Sequence, residues 1–152
     1  MSGVLLVPLT REEWAMLREG RTLSSHDAYA PTAALGETFD LEELEEVERA
    51  ALLVASVASL LASGERLVAS VEAAFDVDHE SHLGKAHVAG LTMADVGAYF
   101  VDGPEAADAV AAAVAATPGL DLDTAWETAE VQALLEHDLL WHGPTEPLPV
   151  PA

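Results

Sequence analysis

The sequence predicts one α/β domain of the α+β type, with about four strands in a single mixed sheet. The chain has 152 residues, which is the size of one ordinary domain. Hydrophobic residues make up 51% of it, enough to bury a core without disulfides or metals. Short apolar runs alternate with segments of helical periodicity along the chain. We therefore expect a single domain over residues 1–143, followed by a Pro-rich, frayed tail over 144–152.

The strands are predicted from apolar runs that polar residues bound on both sides. The first run, GVLLVPL, is apolar throughout and is typical of a buried strand. Residues 28–30 favour an edge strand within a long polar connection. Further strands are predicted for ERLVASVEAAF, GKAHVAGLT and AYFVDG, and DLLWHG is expected to be extended.

The clearest helix is predicted over about 41–63, packed across one face of the sheet. Asp40 is the expected N-cap, Glu43 completes a capping box, and Gly64 ends the helix. An apolar stripe at three and four spacing consists of Leu44, Val47, Ala51, Val54, Ala58 and Leu61.

The second half of this helix is apolar nearly all round, so it has to be covered on more than one side. Leu53 and Val57 are therefore expected to be fully buried, whereas Glu42 and Glu46 are expected to be exposed. Further helices are predicted near 11–19, 104–116 and 124–136. A capping box of Thr10 and Glu13 precedes the first of these.

Charge is the strongest feature of the composition, with 27 acidic residues against 6 lysines and arginines and a formal net charge of −21. Nucleic-acid binding relies on Lys and Arg to neutralise phosphates, so we expect no nucleic-acid partner. Anionic membranes would repel the chain as well. Three explanations of the acidity stay open: solubility, adaptation to high salt, and an acidic face for a basic partner, including nucleic-acid mimicry.

The cell compartment is predicted from what the sequence lacks. There is no cysteine, which excludes a disulfide framework and thiol chemistry. The first residues carry no basic region of a signal peptide. No apolar stretch approaches the ~20 residues of a membrane span. A cytoplasmic protein is the expectation.

The stretch DVDHESH at residues 76–82 raises the question of a metal site, because His79 and His82 lie among acidic residues and His87 follows. A zinc site needs three or four converging ligands. The stretch lies between two predicted strands, where polar turn residues belong. We expect His79 and His82 to be exposed in a solvated turn, and we assign no metal.

His137, Asp138 and His142 are the best candidates for acid–base chemistry, since a carboxylate can orient an imidazole. No nucleophile elbow accompanies them. Asp121, Asp123 and the acids around them do not form an EF-hand loop, and we interpret Asp123 as a helix N-cap. No glycine-rich nucleotide-binding motif occurs. No catalytic residue and no cofactor are assigned.

Several stretches together resemble a family of small actinobacterial proteins known only as a domain of unknown function. They are AYAPTAALGETF with the helix that follows, LVASVEAAFDV, LGKAHVAG, DVGAYFVDGPEA and EHDLLWHGPTE. The resemblance covers most of the chain, with His79 and His82 outside it. It implies a cytoplasmic protein with a compact α/β domain, and it carries over no activity.

The preferred functional hypothesis is a non-catalytic interaction or regulatory module that binds a basic protein through Glu42, Glu45 and Glu46. These three glutamates are expected to share one face of the long helix by their spacing. One alternative is an enzyme for a small molecule, with or without a metal, that uses His137, Asp138 and the nearby His142. A second alternative is a self-associating structural protein. The oligomeric state is left open.

Overall fold

The structure is a computed structural model that describes residues 1–152. Seven strands are formed by Ser2–Pro8 (β1), Leu23–Tyr29 (β2), Leu67–Ala74 (β3), Asp76–Val77 (β4), Lys85–Leu91 (β5), Val96–Asp102 (β6) and Leu139–His142 (β7). Six α-helices are formed by Arg11–Arg18 (α1), Ala33–Thr38 (α2), Leu44–Ser63 (α3), Ala107–Ala116 (α4), Leu122–Trp126 (α5) and Ala129–Leu134 (α6). Short 3₁₀ turns lie at Met93–Asp95 and Pro104–Ala106. None of the helices is long and apolar enough to cross a membrane.

All seven strands belong to one sheet in the order β4-β5-β2-β1-β3-β6-β7, and every pairing is antiparallel. The prediction of a single α+β domain is confirmed, but the four-stranded mixed sheet was wrong. A long helix between two strands favours a parallel crossover. Here α3 does connect two strands that run in the same direction, β2 and β3, but β1 lies between them and pairs antiparallel with both.

The sheet is curled, and alternate residues of its central strands enter two separate cores. Leu5 and Val7 of β1 lie in the larger core, which the sheet encloses and α1 helps to cover through Trp14 and Leu17. Leu6, between them, faces the opposite side. Strand β1 is the central strand and is buried on both faces, which explains its continuous apolar run.

Helix α3 packs on the outer face of the sheet and is itself covered by the last three helices. Val54 and Ala55 contact the sheet core. Val57 and Leu60 lie in a third core that α4, α5 and α6 complete. The expectation that the second half of this helix is covered on more than one side is therefore confirmed. Val57 is fully buried as predicted, but Leu53 is only partly buried.

The start of α3 differs from the prediction. The helix begins at Leu44, with Glu43 as a cap that makes no side-chain hydrogen bond. Asp40 instead ends α2 with a positive φ of 54°. The N–H groups of Asp40 and Leu41 donate to the carbonyls at Glu37 and Gly36, which is a Schellman ending. Because Asp40 forms this helix ending, it does not cap the next helix as predicted. Leu44, which was predicted to belong to the apolar stripe, is 62% exposed.

Other helix signals were partly correct. Thr10 and Glu13 form the predicted capping box. The helix expected over 124–136 is divided into α5 and α6, because Thr128 caps a new helix after the first one ends. Asp121, rather than Asp123, accepts the N–H of the first turn and is the N-cap.

A buried ion pair joins the sheet to the start of the last strand. Arg66 and Asp102 are 0% and 4% exposed in their side chains, and they interact through two parallel hydrogen bonds, one of 2.9 Å from Nε to Oδ2. Arg66 also donates to the carbonyl oxygen of His137. This arginine therefore fixes the chain where it turns into β7.

The final segment contacts the body of the protein through residues 144–149, whereas Val150 is 85% exposed. The Tyr99 hydroxyl donates to the carbonyls of Glu146 and Pro147. Arg11 and Arg18 donate to other carbonyls of the same segment. Its prolines leave carbonyl groups free of helix or sheet bonding, and side chains of the domain satisfy them.

Removing one member of the buried pair should be strongly destabilising. Asp102→Ala leaves the Arg66 guanidinium buried and uncompensated, so the free energy of unfolding should fall by about 3–5 kcal/mol. Urea unfolding followed by circular dichroism measures this loss. The double variant Arg66→Met with Asp102→Leu should recover most of it, and equal losses in both variants would contradict the assignment.

Truncation along α3 should separate its covered side from its open side. Leu60 is buried in the third core, and Leu60→Ala should cost about 2–4 kcal/mol. Leu53→Ala should cost clearly less, because part of the Leu53 side chain is already exposed to water. Urea midpoints of the two variants under identical conditions provide the comparison, and equal midpoints would show that the open side is closed in solution.

Candidate functional site

An apolar groove lies where the cover over α3 ends. Its volume is about 300 Å³. The apolar lining comes from the turn after α2, from α3 and from α5, and consists of Phe39, Leu41, Ala50, Leu53 and Trp126. All five side chains are partly exposed. An exposed apolar cluster of this kind is typical of a binding surface.

The sequence builds this groove through the Schellman ending of α2. That turn places Phe39 and Leu41 on either side of Asp40, so both side chains return toward α3. The Phe39 ring contacts the Trp126 indole with ring centroids 5.4 Å apart. This tilted aromatic pair forms one end of the groove and fixes both rings.

Charged residues border the groove. Glu46 and Arg49 contribute to its edge, one turn apart on α3. Arg49 is paired with Asp138, with 3.1 Å between Nη2 and Oδ1, and both side chains are largely exposed. Such a pair contributes little to stability and can be rearranged easily. Glu46 has no basic partner, so the edge of the groove is acidic where it meets the start of α3.

The three predicted partner-binding glutamates are exposed, but they do not share one helical face. Glu45 and Glu46 lie in the first turn of α3. Glu42 precedes the helix and lines a separate depression with Asp40 and Leu44. The prediction from helical spacing is wrong for Glu42, because α3 begins at Leu44, two residues after Glu42. All three still lie on the short segment that leads from the turn after α2 into α3.

The structure does not bring the candidate catalytic residues together. Asp138 forms an ion pair with Arg49, whereas the carbonyl oxygen of His137 accepts a hydrogen bond from Arg66. His142 lies at the other end of β7, where its ring stacks on Tyr99 with centroids 5.0 Å apart. Three residues with different partners form no shared acid–base site.

The histidine-rich turn is exposed as predicted. His79 is exposed and His82 reaches across to Asp123, with 2.8 Å between Nε2 and Oδ1. His87 points away from the turn, toward Ser25 of the neighbouring strand β2. No group of three or more His, Cys, Asp or Glu side chains is arranged to hold a metal ion.

One polar constellation was missed from the sequence. His87 lies across from Asp27 on β2, and its Nε2 is 2.6 Å from the Ser25 hydroxyl. The order Ser–His–Asp is that of a hydrolase triad. Its Nδ1, however, is 3.6 Å from Asp27, and the His87 and Asp27 side chains are about half exposed on an open sheet face. We interpret the group as a polar cross-strand ladder, which the alternation S-x-D facing K-x-H could have indicated.

Both tyrosines of the chain are shifted away from ionisation. Burial, with smaller contributions from Asp27 and Asp123, raises the pKa of Tyr29 to about 12. Burial, and then Glu146, also raises the pKa of Tyr99. Both hydroxyls therefore stay protonated at neutral pH, and that of Tyr99 donates to the carbonyls of the final segment.

The fold and the groove define a class: a single α+β domain with an antiparallel curled sheet and an apolar groove bordered by charged residues. The comparison with known families goes further. The chain belongs to a family of unknown function, DUF6912, which it matches over residues 5–149. This match confirms the resemblance to a domain of unknown function. No curated protein and no solved structure is significantly similar to the chain.

Alkaline titration should reveal the two shifted tyrosines. A free tyrosine ionises near pH 10. The folded protein should therefore show little phenolate absorbance there, and Tyr29 should ionise only near pH 12. A raised pKa in the folded state contributes stability that is complete below pH ~10 and is lost as pH rises through the folded pKa. Tyr29→Phe should reduce this loss between pH ~10 and ~12, and an unchanged pH dependence would refute the shift.

Proposed function

We propose that this protein is a non-catalytic interaction module that binds a basic protein segment at the groove between α3 and α5. The observation that supports this most is an apolar groove, bordered by Glu46 and Arg49, beside the exposed glutamates at the start of α3. The partner would insert one apolar side chain between Phe39, Leu53 and Trp126. Its lysines or arginines would lie against Glu42, Glu45 and Glu46.

The dimensions of the groove suit a side chain better than a large ligand. Small-molecule sites span ~300–1,000 Å³ and enclose most of their ligand. This groove is at the lower limit, with about 300 Å³, and its lining side chains are partly exposed. A single anchor residue is enough for recognition, because a few buried aromatic or aliphatic contacts carry most of the energy of an interface.

The charges would act mainly on the rate and the selectivity of association. A chain of net charge −21 attracts basic surfaces over a Debye length and repels acidic ones. Glutamates at the edge of an interface raise the association rate and make it sensitive to salt, while the apolar anchor determines how long the complex lasts. The two contributions can therefore be separated by experiment.

A pull-down tests the acidic edge. Immobilised wild type should retain a basic protein at low salt and release it as salt increases. Replacing Glu42, Glu45 and Glu46 by Gln should abolish retention while the protein stays folded. The matched control replaces three exposed glutamates elsewhere, Glu12, Glu72 and Glu105, and changes the net charge equally. If both triple variants lose the partner to the same degree, net charge alone is responsible and this site is wrong.

A pair of synthetic peptides tests the groove. Both peptides are lysine-rich, and one has a central tryptophan where the other has glycine. The tryptophan peptide should bind wild type about tenfold more tightly, and Trp126→Ala should remove this preference without changing the affinity for the glycine peptide. Fluorescence anisotropy measures both affinities. A tryptophan preference that persists in Trp126→Ala would place the anchor outside the groove.

A further inference from the structure

A second cleft, which we call the acidic cleft, lies at the start of α5, whereas Trp126 at its end lines the groove. It is formed between the turn that joins β4 to β5 and residues 121–123, which open α5. Its volume is about 410 Å³. The lining includes four carboxylates and one lysine, namely Asp78, Glu80, Asp121, Asp123 and Lys85.

Tyr29 lines the same cleft from the sheet. It is only 6% exposed and its ring packs in the core beneath α3. Its hydroxyl makes no hydrogen bond within the protein, and it is not one of the fully enclosed unpaired polar atoms, so it opens onto the cleft. Asp123 lines the same cleft and contributes to the raised pKa of Tyr29, after burial and Asp27. A polar ligand in the cleft would give the hydroxyl a partner.

The carboxylates of the cleft are only partly neutralised. Lys85 is directed to Asp27, with 3.6 Å between Nζ and Oδ2. His82 contacts Asp123 on one oxygen. Asp121 accepts the backbone N–H of Thr124, which lowers the pKa of Asp121 and keeps it ionised. Glu80 accepts no hydrogen bond and forms no ion pair, so the cleft presents a surplus of negative charge to its contents.

The separation of these carboxylates favours an extended organic cation over a metal ion. No three of them converge in the way that a metal ion requires. They surround a space much larger than an ion, and the floor contains the apolar side chains of Leu83 and Leu122. Separated carboxylates around an apolar floor are complementary to an extended organic cation, whose charged ends reach the acids and whose methylene groups cover the leucines.

We propose that the acidic cleft binds an alkylammonium group, carried by a free alkyl diamine or by a lysine side chain. The ammonium would lie between Asp123 and Glu80. It would donate hydrogen bonds to their carboxylates and to the Tyr29 hydroxyl oxygen. The methylene chain would lie over Leu83 and Leu122. This site uses a surface separate from the groove, so it goes beyond the interaction proposed above and does not depend on it.

Calorimetric titration of the whole protein tests the cleft. Putrescine represents the free diamine. A lysine with blocked amino and carboxyl termini represents the lysine side chain of a protein. At least one of them should bind with one molecule per chain, and the arm that binds identifies the source. Asp123→Asn should weaken binding about tenfold, as expected for loss of one charge-assisted contact. Absence of saturable binding by both probes overturns the proposal.

The matched control is Asp108→Asn, since Asp108 is an exposed aspartate in the first turn of α4 as Asp123 is in α5. Binding by this variant should equal that of wild type, and an equal loss in both variants would reduce the effect to general attraction by a net charge of −21. Tyr29→Phe keeps the buried ring and should weaken binding severalfold. Glu80→Gln, in the exposed turn, provides the same test without touching the core. Displacement of the amine by equimolar Mg²⁺ would instead make this a metal site.

Discussion

The structure depends on the double burial of α3. From Ala51 onward this helix presents apolar residues to the sheet and, on its other side, to the last three helices. Neither layer alone would cover it, because each can bury only one side of a cylinder. The arrangement of the C-terminal half of the chain follows from this requirement. Helices α4, α5 and α6 are short, and together they form the second layer that α3 needs.

The groove is a consequence of how this second layer ends. The cover reaches Val57 and Leu60 but stops short of Leu53, one turn earlier. Trp126 and Phe39 meet at that boundary and close it only in part. A larger side chain in place of Ala50, which lines the groove, could fill this space. The space is instead left open beside Glu46, and the proposed function rests on this arrangement.

Much of the fold could be predicted because local signals agreed with the tertiary structure. The capping box at Thr10, the apolar run of β1 and the terminating Gly64 all act within one turn or one strand. Predictions failed where two local signals competed for one residue. Asp40 can cap a helix or end one, and only the contacts of α2 decide between these roles. Sheet order could not be predicted, since nothing local indicates that β1 separates β2 from β3.

The candidate site was predictable in its charge but not in its shape. Glu45 and Glu46 are visible as a charged run, and their exposure follows from helical spacing. Phe39 and Trp126 are distant in sequence and meet only because α3 lies between two layers. Helix α5 then separates two surfaces, with Trp126 in the groove and Asp123 in the acidic cleft. Since α5 has only five residues, the two surfaces lie within about one helical turn of each other although no residue lines both.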